Sequence, residues 1–311
     1  MPMALTVLIF IGALALLLVS ANVFTQSAEG IGKYLKLPAF VVGIFIVGIG
    51  TSLPELISGM LSVSKGVSDI LPGNIIGANI SNILLITGLA VAFNRKSLVL
   101  NTGYLYIDLH FLLGSFFYFY IIAYDGKIVF SEAFIGVVMF LIYSFYLIKG
   151  HHEGEEETTT ERGAFPLKAI VLLLLAGVGI YFGADYTVSS LEKIAQAMSI
   201  PNSVIALTLL SLGTTLPELA VNISAIRQNK ADMAIGNVLG SCIFNTLVIP
   251  TAGSAIGHID VPANLLGFSL PVMAACGLFF YLLTQDKKIS MWEGLLFVSL
   301  YVLFILKTAT A

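Results

Sequence analysis

Apolar residues run along this chain in blocks of about 20, each closed by a short cluster of glycine, proline or charge. A bilayer core about 30 Å thick takes roughly 20 apolar residues per helical crossing. The pattern therefore predicts ten membrane spans, near 4–27, 38–64, 70–93, 103–123, 128–149, 165–189, 202–227, 232–256, 263–284 and 291–307. The Asp125-Gly126 turn separates the fourth span from the fifth, and the polar run ending in Asp286, Lys287 and Lys288 separates the ninth from the tenth. Only 150–164 is polar for long, and its His151, His152 and run of glutamates read as a solvated acidic linker. Residues 1–149 and 165–311 then hold five spans each. The first apolar run has no basic leader and no small-residue cleavage site, so it is expected to stay as a span.

An internal repeat organises these spans. Residue n of the first half matches residue n+163 of the second without a gap through each half's second and third spans. Pro38 falls on Pro201, Glu55 on Glu218, Asn74 on Asn237 and Asn82 on Asn245. Over 48–58 and 73–82, eleven of twenty-one positions are identical, too many for a shared preference for Leu and Val. Five is odd, so the halves enter the membrane from opposite sides. The predicted fold is an all-α polytopic membrane protein: ten transmembrane helices in two inverted five-helix repeats, with broken second and seventh helices. Proteins so built place a site near the midplane, where interrupted helices supply ligands, and alternate its access between the two sides. Joints after odd-numbered spans carry eleven Lys and Arg against four on the other side. That bias predicts both termini outside and the acidic linker in the cytoplasm.

The breaks come from Gly48-Ile49-Gly50-Thr51-Ser52-Leu53-Pro54-Glu55 and its copy Ser211-Leu212-Gly213-Thr214-Thr215-Leu216-Pro217-Glu218. A proline inside a helix offers no N–H and crowds the carbonyl four residues earlier, so backbone oxygens near 47–51 lose partners. Lining a polar cavity, such oxygens become cation ligands. Glu55 follows Thr51 by four and shares its face, with Thr214 and Glu218 repeating the spacing. The facing half comes from 73–82 and 236–245. There Ala78 and Asn82, and likewise Ser241 and Asn245, lie one turn apart on one face, with Asn74 and Asn237 a further turn back.

Composition narrows the chemistry. The chain is 58% hydrophobic and 11% charged, and its net charge of −3 is small and dispersed, which excludes a nucleic-acid surface. Cys242 and Cys276 lie in apolar segments and imply no disulfide framework. No activated nucleophile or metal-binding histidine pair accompanies the glutamates, so no enzyme is read and no cofactor is expected. Asp108 and His110, which open the fourth span, read as an interfacial pair. Two carboxylates, amides, hydroxyls and freed carbonyls form an all-oxygen set suited to hard cations, Ca²⁺ or Na⁺. Two glutamates balance one Ca²⁺, and equally two Na⁺ or two H⁺. An unloaded pair is too costly to carry across the membrane, which is the basis of obligatory exchange.

The paired Gly-Thr-[Ser/Thr]-Leu-Pro-Glu segments, each followed by Gly-Asn-x-x-Gly-[Ala/Ser]-x-Ile-x-Asn, resemble the cation/calcium antiporters, particularly the prokaryotic sodium/calcium exchangers. The resemblance spans the whole layout and implies countertransport of Ca²⁺ against Na⁺ across the lipid bilayer. It implies Glu55 and Glu218 as the shared central ligands, oxygens from Thr51, Ser52, Thr214 and Thr215, and backbone carbonyls at Gly48 and Ser211. Asn82, Asn245 and Ser241 complete the expected set. Two positions depart from the sodium-coupled pattern: Asn245 stands where an aspartate is common and Ala78 where a serine is. A Ca²⁺/H⁺ exchanger is therefore the alternative within the family, and a cation channel the alternative outside it.

Overall fold

The computed structural model describes residues 3–94, 98–99, 105–150, 165–197 and 202–310, with side chains in the 202–227 helix described from Thr215 onward. Of the predicted linker 150–164, Gly150 ends the helix before it and 151–164 lie outside the described residues. Helical segments are numbered in chain order: α1 (Met3–Leu35), α2 (Ala39–Ser64), α3 (Ile70–Ala92), α4 (Leu105–Ala123), α5 (Phe130–Gly150), α6 (Leu167–Ala197), α7 (Asn202–Arg227), α8 (Ala231–Ser254), α9 (Leu265–Leu283) and α10 (Met291–Thr310). Among the described residues, eight helices are long and apolar enough to cross a membrane, and Ile107–Ala123 is a shorter apolar helix. Together with the composition, this makes the chain a multi-pass membrane protein. The first and sixth spans were predicted too short. α1 has 33 residues and continues past its predicted end through Glu29 and Lys33, and α6 has 31 and continues to Ala197.

Glycine sets how the helices meet. Lipid offers little driving force between apolar helices, so close backbone approach through small residues carries the packing. A Cβ on Gly183 of α6 would come within 2.8 Å of the Leu17 backbone of α1, while Gly179 lies against Ser20 and Gly30 against Ala169. Rising numbers on α1 meet falling numbers on α6, so the two helices run antiparallel. α2 and α8 run parallel, with Gly236 against Phe40, Gly240 against Ile44, and Gly48 against Ser241. Gly88 of α3 and Gly294 of α10 pack on each other's carbonyls, and Gly136 of α5 packs on Leu247 of α8. α8 is central: every residue from Met233 to Leu247 is buried.

Contacts between joints follow the predicted alternation. Strand β1 (Leu98–Val99), after α3, pairs antiparallel with β4 (Lys288–Ile289), after α9, in the register Leu98 to Ile289. Strand β2 (Lys127–Ile128), after α4, pairs with β3 (Ile259–Asp260), after α8, in the register Lys127 to Asp260. Ser68, after α2, donates to Asp260 at 3.2 Å, and Lys230, after α7, bridges to Glu29 near the end of α1 at 2.6 Å. These contacts join odd joints with odd and even with even, as alternate membrane crossings require.

The predicted breaks differ between the halves. α2 carries a π-helical turn over Gly43–Gly48 and leaves helical dihedrals at Ser52 (φ −86°, ψ 0°). Pro54 thus sits in the first turn of the helix that restarts at Leu53, where its missing N–H costs nothing. α7 runs unbroken through Pro217, which corrects the expected break there. A proline removes one hydrogen bond and kinks a helix, but flanking bonds can carry the helix through. The π turn in α2, and a second over Ser81–Ile86 in α3, had no sequence signal beyond local glycine.

The tight α2–α8 contact makes a direct prediction. A Cβ at Gly240 would come within 2.6 Å of the Ile44 Cα, so Gly240→Val should lower stability by about 1–3 kcal/mol or more. Gly30→Ala meets Ala169 at an ordinary 3.6 Å and should be tolerated. Thermal unfolding of the purified variants compares them, and equal midpoints would refute the close packing.

Candidate functional site

The predicted polar residues converge where α2, α7 and α8 meet, with α3 alongside. Glu55, Thr51 and Ser52 of α2, Glu218 and Thr215 of α7, Ser241 and Asn245 of α8, and Asn82 of α3 are all buried, each under 5% exposed. The Ser52 turn and the restarted helix after it turn Thr51, Ser52 and Glu55 inward together. Ser211 and Thr214 lie in α7, two turns and one turn before Glu218 respectively, and their side chains are outside the described residues.

Glu55 lies within electrostatic reach of the Glu218 carboxylate, so the two carboxyl groups share one site. The Thr51 hydroxyl sits 3.3 Å from Asn237 Oδ1 and 3.4 Å from the Gly48 carbonyl, and within hydrogen-bonding reach of Glu218. It has one proton for three acceptors. The Ser241 hydroxyl donates to the same Gly48 carbonyl at 3.2 Å, and so does the Ser52 N–H at 3.1 Å. Gly48 is therefore at the site, but its carbonyl is not freed in the way the proline argument expected. The helix bends after Gly48 without releasing that oxygen.

Among the described residues, Ser52 Oγ, Glu55 Oε2, Glu218 Oε2 and Asn245 Oδ1 have no hydrogen-bond partner. Buried oxygens of this kind are normally satisfied, because leaving one unpaired costs about 1–3 kcal/mol. Here acceptors outnumber donors on three adjoining helices, around two carboxyl groups. A cation is the kind of partner such oxygens lack. The set contains no His or Cys ligand, which favours a hard cation over a thiophilic one.

Asn82 takes part through the π turn of α3. That turn widens the helix so that Thr87, five residues on, donates to the Asn82 carbonyl at 3.1 Å. Its side chain lies beside the Cys242 thiol of α8. Ala78 and Asn79 precede it, and Asn79 pairs with Met273 at 3.6 Å.

Two residues enter that the site prediction omitted. Asn237 was placed on the correct face but not among the ligands, yet it holds Thr51 and leaves its own Nδ2 unpartnered. Asn222 of α7 is 1% exposed with neither side-chain polar atom partnered, four residues beyond Glu218. Its position in the first half is Gly59, so comparing the two repeats position by position was the signal that could have found it. Asp108 and His110 are not an interfacial pair. His110 is exposed beside Tyr281, while Asp108 is fully buried and accepts a bond from the Tyr143 hydroxyl at 2.8 Å. One helical turn cannot place residues two apart on one face, so only one of them could stay at the surface.

A cluster of carboxyl, amide and hydroxyl oxygens buried among apolar helices defines the class: an integral membrane protein built around a buried polar centre. The sodium/calcium exchanger protein family matches residues 5–149 and 168–308, and the chain belongs to that family. It is 31% identical over 298 residues to an uncharacterized membrane protein, MJ0091, of Methanocaldococcus jannaschii, covering 95% of each chain. It is 30% identical over 349 residues to the sodium/calcium exchanger MaX1 of Methanosarcina acetivorans, covering 96% of this chain and 97% of the other. A solved structure of the sodium-calcium exchanger NCX_Mj, soaked with Na⁺ and Sr²⁺, superposes with a TM-score of 0.83 at 29% identity over 97% of both chains.

Asn237 yields a specific expectation. Replacing its amide with an apolar side chain of similar size, Asn237→Leu, frees the Thr51 hydroxyl and removes one oxygen from the cluster. Ca²⁺ affinity should fall by roughly tenfold, the scale of one hydrogen bond to a charged group. Isothermal titration of the purified variant with Ca²⁺ measures it, and unchanged affinity would remove Asn237 from the site.

Proposed function

We propose that the protein is a secondary active antiporter that exchanges Ca²⁺ for Na⁺ across the cell membrane by alternating access. The observation that carries this reading is the group of unpartnered oxygens of Ser52, Glu55, Glu218 and Asn245, buried at the meeting of α2, α7 and α8. Together with Thr51, Thr215, Ser241, Asn82 and the Thr214 and Ser211 positions, they form the ligand set we assign to the transported ions. Two glutamates neutralise one Ca²⁺ or two Na⁺. Empty, they would carry two like charges through a low-dielectric barrier, so only loaded states cross and the two ions must exchange. The names of MaX1 and NCX_Mj, both sodium/calcium exchangers, point the same way.

The inverted arrangement of two five-helix halves supports alternating access. Adding 163 to each member of the β1–β4 pair, or subtracting it, lands within two residues of the β3–β2 pair, so the two ladders exchange places under the repeat. The halves also differ in access: Gly236, Asn237 and Gly240 are buried against α2, whereas Gly73, Asn74 and Gly77, their repeat positions on α3, are partly exposed. Under the orientation favoured by the Lys and Arg bias, with both termini outside, the exposed side is the extracellular one. The state would then be one that receives ions from outside.

A second reading, Ca²⁺/H⁺ exchange, is favoured by one residue. Asn245 places an amide where a third carboxylate would help to hold sodium, and protons can neutralise the two glutamates as well as sodium can.

Uptake of ⁴⁵Ca²⁺ into proteoliposomes, with Na⁺, K⁺ and pH gradients imposed separately, decides between these readings. Uptake should follow an outward Na⁺ gradient; uptake that follows only pH would select the proton reading. Flux with no counter-ion would overturn exchange altogether. Glu55→Gln and Glu218→Gln should each reduce uptake at least roughly 100-fold, since leaving a buried charge without its partner costs about 3–5 kcal/mol. Normal flux in either variant would remove that residue from the site. Asn245→Asp should make uptake steeper in Na⁺, and an unchanged sodium response would refute the account of that position.

A further inference from the structure

Each half carries an outward-facing apolar groove between its last two helices. The groove between α9 and α10 has a volume of about 540 Å³, and the one between α4 and α5 about 490 Å³. Gly114 of the second falls on Gly277 by the 163-residue offset, but Gly277 does not line the first, so the two grooves use different faces of their helices. Their charges differ. The α9–α10 groove ends at Lys307, in the last turn of α10, whereas the α4–α5 groove carries Glu132, in the first turn of α5.

The α9–α10 groove has the shape of a lipid tail. Its wall on α9 runs from Phe268 to Leu282, about 21 Å at 1.5 Å per residue. That exceeds half of a hydrocarbon core about 30 Å thick, the depth one acyl chain spans. Phe268 and Phe304 stack across one end with ring centroids 6.2 Å apart and planes 14° apart, on the side of the groove near Lys307. Leu84 of α3, only 2% exposed, forms part of the floor and lies two residues beyond Asn82, within the same π turn.

We propose that this groove is a binding site for one anionic phospholipid of the surrounding bilayer, its tail laid between α9 and α10 and its headgroup phosphate facing Lys307. The wall is apolar along its length, so it contributes tail packing that does not distinguish headgroups. Selection comes from the lysine, because a basic side chain near the membrane surface attracts anionic lipid. The α4–α5 groove is lined by a carboxylate, Glu132, and no lysine or arginine, so it disfavours the same lipid. Leu84 brings the tail against the turn that carries Asn82.

The test uses the full-length protein, exchanged into detergent with an equimolar mixture of a phosphatidylglycerol and the phosphatidylethanolamine of the same chains, and analysed by native mass spectrometry. Wild type should retain one phosphatidylglycerol with roughly fivefold preference, the scale of one lysine acting on an anionic headgroup. Lys307→Gln should abolish the preference while a lipid is still retained, which also reports that the variant is folded. Leu300→Trp, which fills the groove, should lose the retained lipid, whereas Glu132→Gln should leave the preference unchanged. Equal retention of the two lipids by wild type, or a preference that survives Lys307→Gln, would overturn the proposal.

Discussion

Within hydrocarbon no water completes an unmet hydrogen bond, so every polar group on these helices needs a partner inside the protein. Over most of the chain that need is met locally. Thr25, Ser62, Ser115, Ser144 and Thr187 return their hydroxyls to carbonyls three or four residues earlier on their own helices. The centre is different. Around Glu55 and Glu218, the Gly48 carbonyl already draws three donors, and one Thr51 hydroxyl faces three acceptors. The surplus of acceptor oxygen is a property of the assembled helices, and it is what a cation would resolve.

Packing exists to hold that surplus in place. α8 lies against α2 through Gly236 and Gly240, close enough for the Ser241 and Asn237 side chains to meet Gly48 and Thr51. Bulkier residues would separate the helices and pull these groups out of range. The same use of glycine joins α1 to α6 and α3 to α10. α1 and α6 share a small apolar cluster of Leu17, Ala21, Phe24, Ile180 and Ala184, distinct from the larger core around α3, α4, α5, α8, α9 and α10. The polar centre borders both.

The two copies of the motif are chemically alike yet structurally different. Pro54 begins a helix and Pro217 lies within one; Asn82 sits in a π turn and Asn245 in regular helix, which is interrupted only at Val248. Asn222 has glycine as its counterpart. Under the proposed alternating access such inequality is expected, because two identical halves would open to both sides alike.

Much of this was legible in the residues alone, for a physical reason. Hydrophobic period and the length of a bilayer crossing are local properties, so the span positions, the repeat and the paired glutamates could be read directly. Helical spacing also put Thr51 with Glu55, and Ser241 with Asn245, on common faces. Which face meets which neighbour is not local. That Asn237 would hold Thr51, that Asn222 would be buried without a partner, that Gly48's carbonyl would stay occupied, and that Asp108 would turn inward to Tyr143 depended on contacts between residues tens to nearly two hundred positions apart. The sequence by itself determined which chemical groups would reach membrane depth; only the tertiary structure decided which of them are satisfied, since that depends on donors brought by other helices.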